Sequence, residues 1–422
     1  MEYFKIRGGK PLNGSIAIHG AKNSVLPILA ASLLYSGESI IHNCPNLSDV
    51  HSAFKILRSL GCKVRYDGDT AIIDCSVLSS CDIPDKLMRE MRSSIIFLGA
   101  ITARCGKSAV SLPGGCELGP RPIDLHLSSF RQLGIDVNEE GGNIVCTAQN
   151  PRGCDINLSF QSVGATENIM LAATACKGTT KIINAAREPE ICDLQDFLRK
   201  CGFKVSGAGS SIITIEGGLA VSAPEHTVIP DRIVAATCLS ACAAAGGQIS
   251  LTNVIPQHLS PMISVLSDCG AIIKTNSSTI AMDAGRRLRG GGTIRTMPYP
   301  GFPTDAQAPL MAAMTLASGT SLFIETIFDN RFRHVAELMR MGADIKTVGR
   351  IAVVTGVKNL YGADVIASDL RGGAALAVAA AAADGDSQIH GITHIQRGYC
   401  AFEKMFSALG IDISLVSDSD VK

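Results

Sequence analysis

The stretch LRSLGCKV, residues 57–64, reads as the end of an amphipathic helix, a glycine stop and the start of a strand. Gly61 permits left-handed backbone just past the helix, and Val64 opens a β-type alternation. The same design recurs as FRQLGIDV (130–137), FLRKCGFKV (197–205), VLSDCGAIIK (265–274), ELMRMGADIK (337–346) and MFSALGIDI (405–413). The glycines are Gly61, Gly134, Gly202, Gly270, Gly342 and Gly410, spaced by 68–73 residues. Self-similarity at a fixed period means one supersecondary unit used repeatedly, here six times.

A second series interleaves with the first. Apolar, alanine-rich segments end at Gly37, Gly106, Gly178, Gly246, Gly319 and Gly385. They are apolar nearly all round, which predicts buried helices, with the amphipathic helices outside them. Fourteen residues before these glycines stand Asn23, Arg92, Gly164, Arg232, Asp305 and Arg371. That separation is a helix of ~21 Å, so all six take equivalent first-turn positions. A helix N-terminus has unpaired N–H groups and a positive dipole end, which suits anions and opposes arginine. Arginines in such places predict an anionic ligand.

Composition excludes other classes. Lys+Arg and Asp+Glu both number 38, for a formal net charge of zero. No basic excess is available to neutralise a nucleic acid. Fifteen cysteines without a CxxC pair argue against zinc and a disulfide framework, and for a reducing cytosol. MEYFKIRGGK has no apolar signal core, and the run IVAATCLSACAAA (233–245) is too short for a bilayer. A cytoplasmic protein is expected.

Cys116 stands apart from the other thiols. It lies in SLPGGCELGPRPIDLH (111–126), where Gly114, Gly115, Gly119, Pro120 and Pro122 break helix and strand alike. A thiol near arginine, here Arg121, is more acidic and more reactive. Cys116 is read as a proton donor or covalent partner. Lys22 and Asn23, in GAKNSVLPI, are either a solvated lysine before an N-cap asparagine or a lysine facing a ligand. Arg92, Arg121, Arg331, Arg371 and Arg397 are each an ordinary surface arginine or a phosphate or carboxylate ligand. Asp305, in FPTDAQAP, is an N-cap, a role open to Thr304 too, or a general base for a hydroxyl. Asp124, Asp231 and Asp369 share that ambiguity. SVGATENIM (162–170) is a glycine-containing turn entering a helix, a weak signal for a diphosphate. His126 and His394 lack metal-ligand spacing and read as structural.

GAKNSVLPI, SLPGGCELGPRPIDLH, SVGATENIM, NAAREPEI, FPTDAQAP, FDNRF, SDLRGGAAL and the RGY of IQRGY run in order along the chain. Together they resemble the UDP-N-acetylglucosamine enolpyruvyl transferases of peptidoglycan synthesis. The resemblance implies a two-lobed inside-out α/β barrel of six βαβαββ-type units, three per lobe. The implied lobes are residues 22–229, and 1–21 with 230–422. Phosphoenolpyruvate would be held by Lys22, Asn23, Arg121, Arg331, Arg371 and Arg397. The nucleotide sugar would be met by Asn23, Arg92, Arg121, Pro122, Ile123, Asp124, Leu125, Ser162, Val163, Gly164, Asp305 and Ile327. By the same resemblance Cys116 is the acid that protonates the enol methylene and the thiol that fosfomycin alkylates. Asp305 is the base for the sugar 3-hydroxyl, and Lys22 and Arg397 complete the catalytic set. No cofactor, metal, nucleic acid or membrane is implied. Phe160 and Gln161 depart from the pattern, standing where some relatives carry a lysine, and Cys400 stands where an acidic residue is common. Two alternatives stand beside this reading: the sister transferase that uses shikimate 3-phosphate, which shares the fold and phosphoenolpyruvate but is opposed by the GGC loop and the lack of its Lys-Ser phosphate pattern, and a silent regulatory paralogue that binds nucleotide sugar. The silent copy would be expected to lose Cys116, Lys22, Asp305 or Arg397, and all four are present.

Overall fold

The computed structural model describes residues 2–112, 123–285 and 287–417. Its third repeat shows the plan that the fifth and sixth share. Strand Asp155–Asn157, helix Val163–Ala173 and strand Thr179–Ile183 form a parallel crossover, then helix Pro189–Lys200 leads to the hairpin Lys204–Ser206 and Ile212–Glu216. The hairpin pairs antiparallel with Thr179–Ile183. Parallel neighbours need a crossover, and the buried helix supplies it.

The principal helices alternate in kind along the chain. They are α1 (Lys22–Ala31), α2 (Ser48–Ser59), α3 (Phe97–Cys105), α4 (Asp124–Gln132), α5 (Val163–Ala173) and α6 (Pro189–Lys200). They continue as α7 (Arg232–Ala245), α8 (Ser260–Asp268), α9 (Thr304–Met314), α10 (Val335–Arg340), α11 (Leu370–Ala382) and α12 (Phe402–Ala408). Odd-numbered helices are the alanine-rich ones. Every residue of α7 from Arg232 to Cys242 is buried, and every residue of α11 from Arg371 to Ala381. Even-numbered helices are two-faced: α6 buries Ile191, Leu194, Phe197 and Leu198 and exposes Asp196, Arg199 and Lys200. The glycines after the even helices all take positive φ, from 75° at Gly134 to 105° at Gly61. That is the conformation that only glycine enters at little cost.

Within the described residues the chain forms two compact units, 2–19 with 230–417 and 20–112 with 123–229. The first unit holds three four-stranded sheets, and α7, α9 and α11 pack on one another inside it. Its first sheet is closed by the chain start. Glu2–Arg7 pairs antiparallel with both Asp386–His390 and Asp412–Ser417 and supplies the strand that the sixth repeat lacks. Leu12–Ala17 pairs in parallel with Gly247–Thr252 of the fourth repeat. In the second unit Glu225–Thr227 takes the corresponding edge beside Glu38–His42.

The odd helices begin where their spacing predicts. Asn23, Gly164, Asp305 and Arg371 are second residues, and Arg232 is a first residue. Arg92 departs from the pattern, opening a 3₁₀ turn, Arg92–Ile96, that leads into α3. Asp231 caps α7, its Oδ1 accepting from the Ile233 and Val234 N–H groups at 2.8 and 3.0 Å. Asp369 caps α11, its Oδ1 accepting from Arg371 and Gly372 at 3.0 Å each. These two aspartates are therefore caps. Asp124 is the exposed first residue of α4 and caps nothing with its side chain.

In the second unit Asn168 of α5 joins three segments. Its Oδ1 accepts from the Gly99 N–H at 2.7 Å, and its Nδ2 donates to the Ile95 carbonyl at 2.8 Å. The same Nδ2 lies 2.9 Å from His126 Nδ1. His126 accepts there and is neutral, with its proton on Nε2. Burial, then the Arg92 charge, push its pKa down to about 4, against the opposing pull of Asp124. The unfolded chain thus takes up this proton first as pH falls. His126 costs nothing well above its unfolded value of ~6.5 and becomes destabilising as pH drops towards ~4, by about 2 kcal/mol at pH ~5. An NMR titration of the imidazole resonances, with His126 assigned by its loss in His126→Gln, should place its midpoint below pH ~5. A midpoint near ~6.5 would contradict this packing.

Candidate active site

In the first unit the start of α9 gathers three charged side chains. Pro303 occupies the N-cap position, and no side chain caps the helix. The capping reading of Asp305 therefore fails, since its carboxylate is one residue inside the helix and turned to other donors. Its Oδ1 accepts from Arg331 Nη2 at 2.8 Å, and its Oδ2 accepts from Arg371 Nε and Nη2 at 3.2 and 3.0 Å. Arg331 also donates to the Thr304 carbonyl through Nε and Nη2, at 3.3 and 2.9 Å. Neither arginine is a surface residue. Their side chains are 2 % and 3 % exposed, against 27 % for Asp305.

Two buried cations share one carboxylate here, in a place where charge is costly. Burial works against the charge on Arg371, but Asp305, Tyr399 and Asp231 outweigh it and hold the pKa above the ordinary value. The guanidinium also lies over the Tyr399 ring, 5.5 Å from its centroid, and the Tyr399 and Thr237 hydroxyls are 2.8 Å apart. Arg371 Nη1 is buried and makes no hydrogen bond among the described residues. An unspent buried donor on a guanidinium is a feature that an anionic ligand would satisfy. Arg397 is half-buried after the short helix Thr393–Gln396, two residues before Tyr399. Ile327 lies between the strand Thr320–Ile324 and Arg331, its N–H donating to Glu325 Oε1 at 2.7 Å.

In the second unit Lys22 is the first residue of α1 and is not solvated. Its side chain is 10 % exposed, and Nζ lies 2.6 Å from Asp49 Oδ2 at the start of α2. Asn23 is exposed and does not cap α1, whose N-cap residue is Ala21. Ser162 caps α5 by accepting from the Ala165 N–H at 3.3 Å. Val163 and Gly164 follow, both half-buried, as is Arg92. A Cβ on Gly164 would stand 3.4 Å from His126 Cε1, so this turn lies against the imidazole. Ile123, Asp124 and Leu125 form the start of α4. Phe160 is 46 % exposed, and Gln161 Nε2 donates to Asn184 Oδ1 at 3.3 Å. Cys116, Arg121 and Pro122 lie outside the described residues.

Asp305, Arg331 and Arg371 are thus in direct contact, while Lys22 meets an acid that sequence reasoning passed over. Asp49 had a faint signal as an acidic residue in a first helical turn, but nothing local linked it to Lys22. Glu325, in FIETIF, was missed as well.

The model of the EPSP synthase (3-phosphoshikimate 1-carboxyvinyltransferase) family matches residues 6–406. The chain is 49% identical to UDP-N-acetylglucosamine 1-carboxyvinyltransferase 2 of Caldanaerobacter subterraneus, over 98% of this chain and 99% of that protein. It is 47% identical to UDP-N-acetylglucosamine 1-carboxyvinyltransferase 1 of Symbiobacterium thermophilum, over 98% and 95% of the two chains. Among solved structures, the enolpyruvyl transferase NikO of Streptomyces tendae shares the fold, with a TM-score of 0.88 at 24% identity over 98% and 99% of the two chains. With the family model matched from residue 6 to 406 and near-full-length relatives at almost half identity, the chain belongs to the EPSP synthase family of carboxyvinyltransferases.

Proposed function

We propose that this enzyme transfers the enolpyruvyl group of phosphoenolpyruvate to the 3-hydroxyl of UDP-N-acetylglucosamine and releases phosphate. The near-full-length curated relatives, at 43–49% identity, carry that activity in their names. The reaction is the first committed step of peptidoglycan synthesis, and it links the protein to cell-wall growth, shape and division.

One structural observation supports the reading most: the half-buried carboxylate of Asp305 between two buried guanidiniums, with an Arg371 donor that makes no hydrogen bond among the described residues. Addition of a hydroxyl to an enol phosphate needs a base at oxygen, an acid at carbon and fixed cations for phosphate and carboxylate. In this reading Asp305 takes the 3-hydroxyl proton as the oxygen attacks the central carbon of phosphoenolpyruvate. Cys116 gives a proton to the methylene carbon, forming a tetrahedral ketal. Loss of a proton from the new methyl group and departure of phosphate then restore the enol ether. Lys22, Arg121, Arg331, Arg371 and Arg397 would hold the two anionic groups of phosphoenolpyruvate, with Asn23 beside them. Asn23, Arg92, Arg121, Pro122, Ile123, Asp124, Leu125, Ser162, Val163, Gly164, Asp305 and Ile327 would meet the nucleotide sugar. No step calls for a metal or cofactor. Among the described residues no helix is long and apolar enough to cross a membrane.

The substrate is tested by phosphate release. UDP-N-acetylglucosamine with phosphoenolpyruvate should release phosphate stoichiometrically with product, and shikimate 3-phosphate should not replace the nucleotide sugar. Release with shikimate 3-phosphate alone would reverse the assignment, and release with neither would favour the silent paralogue.

The thiol assignment has its own test. Burial pushes Cys44, Cys176, Cys201, Cys238 and Cys242 up to about 12, which makes them poor nucleophiles. Fosfomycin should add one inhibitor mass, on the peptide containing Cys116. Serine is a far weaker acid than cysteine, so Cys116→Ser should lose most product formation. Cys116→Asp should stay active with an optimum displaced to lower pH, because a carboxyl titrates near ~3.9 and a thiol near ~8.5. It should also resist fosfomycin. Normal turnover by Cys116→Ser, or labelling at another thiol, would remove Cys116 from this role.

A further inference from the structure

We propose that Glu325 is a positioning residue that fixes the Asp305 turn and the Arg331 loop to each other. The proposal rests on the reading of Asp305 as the base. Glu325 follows the strand Thr320–Ile324 and is 2 % exposed. Its Oε2 accepts from the Thr304 hydroxyl at 2.9 Å. Its Oε1 accepts from the Ile327 and Phe328 N–H groups at 2.7 and 3.1 Å. A carboxylate so far from water is tolerated only when its oxygens are hydrogen-bonded, and here both are.

The donors come from the two segments that carry the charged cluster. Thr304 immediately precedes Asp305 at the start of α9, and residues 327–328 lead into Arg331. Arg331 then reaches back to the Thr304 carbonyl and the Asp305 carboxylate. The result is a closed ring: Glu325 to Thr304, Asp305 to Arg331, and along the loop back to Glu325. The intervening Thr326 is anchored too, its N–H donating to Thr296 Oγ1 at 2.9 Å.

α9 has no side-chain N-cap, and the Thr304 hydroxyl is directed to Glu325. The arrangement is explained if the ring holds the Asp305 carboxylate where an incoming hydroxyl needs it. Small displacements of a reacting group are costly in rate. Glu325 contacts no reacting atom in this scheme and acts through Asp305.

Glu325→Gln keeps the shape and one carbonyl oxygen but removes the charge, and its amide can meet the Thr304 hydroxyl only if that hydroxyl turns round to accept. It should lower kcat ~10–100-fold, with KM for UDP-N-acetylglucosamine changed less than ~3-fold. In an Asp305→Asn background the same substitution should cost less than ~2-fold, because residues acting as one unit are non-additive. Thr304→Val, which removes only the hydroxyl, should reproduce the loss, and Thr304→Ser should recover kcat to within ~3-fold of wild type. Wild-type kcat in Glu325→Gln, or an undiminished loss in the Asp305→Asn background, overturns the proposal. If Glu325→Gln fails to fold, the Thr304 pair decides, and a Thr304→Val enzyme with wild-type kcat overturns it. Normal turnover by Asp305→Asn alone is the distinct signature of a failed base reading, and this proposal falls with it.

Discussion

A carboxylate shared by two guanidiniums, each almost wholly buried, is the interaction that ties the start of α9 to the Arg331 loop and to α11. Asp305 accepts from Arg331 through one oxygen and from Arg371 through the other. Removing one partner from a buried ion pair commonly costs ~3–5 kcal/mol, because the other charge is left uncompensated. Replacing a whole buried ion pair by apolar groups is often neutral or stabilising, so stability alone is a weak reason to keep such a cluster. In the proposed mechanism it brings together a base and two cations, with one guanidinium donor that makes no hydrogen bond among the described residues.

The repeat explains how these groups come together. Each odd-numbered helix is apolar enough to be buried along nearly its whole length, so its start is the natural place for polar chemistry. α7, α9 and α11 pack on one another, and Asp231, Asp369 and Pro303 occupy their N-cap positions. Two of those positions carry true caps, which use the aspartate on backbone N–H groups. The third carries a proline, and the next acidic residue is released for other donors. Equivalent positions in one repeating unit have thus been put to different uses by a shift of one or two residues.

Much of the fold was legible because its signals are local. A glycine after a helix stop must take positive φ, and Gly61, Gly134, Gly202, Gly270, Gly342 and Gly410 all do. The constant distance from helix start to glycine placed Asn23, Gly164, Arg232, Asp305 and Arg371 correctly, because helical rise is fixed. It erred at Arg92, where a 3₁₀ turn precedes the α-helix and the local hydrogen-bonding pattern changes. The choice between cap and base at Asp305 was open in the sequence, since it turns on which residue takes non-helical backbone. The partners Asp49 and Glu325 were not legible. Each meets its mate across 20 or more residues of chain, Lys22–Asp49 and Thr304–Glu325, and no periodicity encodes that contact. Cys116, singled out in the sequence by its glycine- and proline-rich loop, lies outside the described residues.

The central claim is that the Asp305 carboxylate does chemistry as well as holding Arg331 and Arg371. Asparagine keeps the size and one acceptor oxygen but cannot serve as a base. The decisive measurement is therefore turnover of Asp305→Asn beside its equilibrium affinity for UDP-N-acetylglucosamine, which reports a correctly folded enzyme. The account predicts affinity within a few-fold of wild type and turnover reduced by ~10²–10⁴-fold, the usual contribution of a positioned base. Near-normal turnover in a variant that binds the nucleotide sugar normally would contradict it, leaving Asp305 as a structural counter-ion.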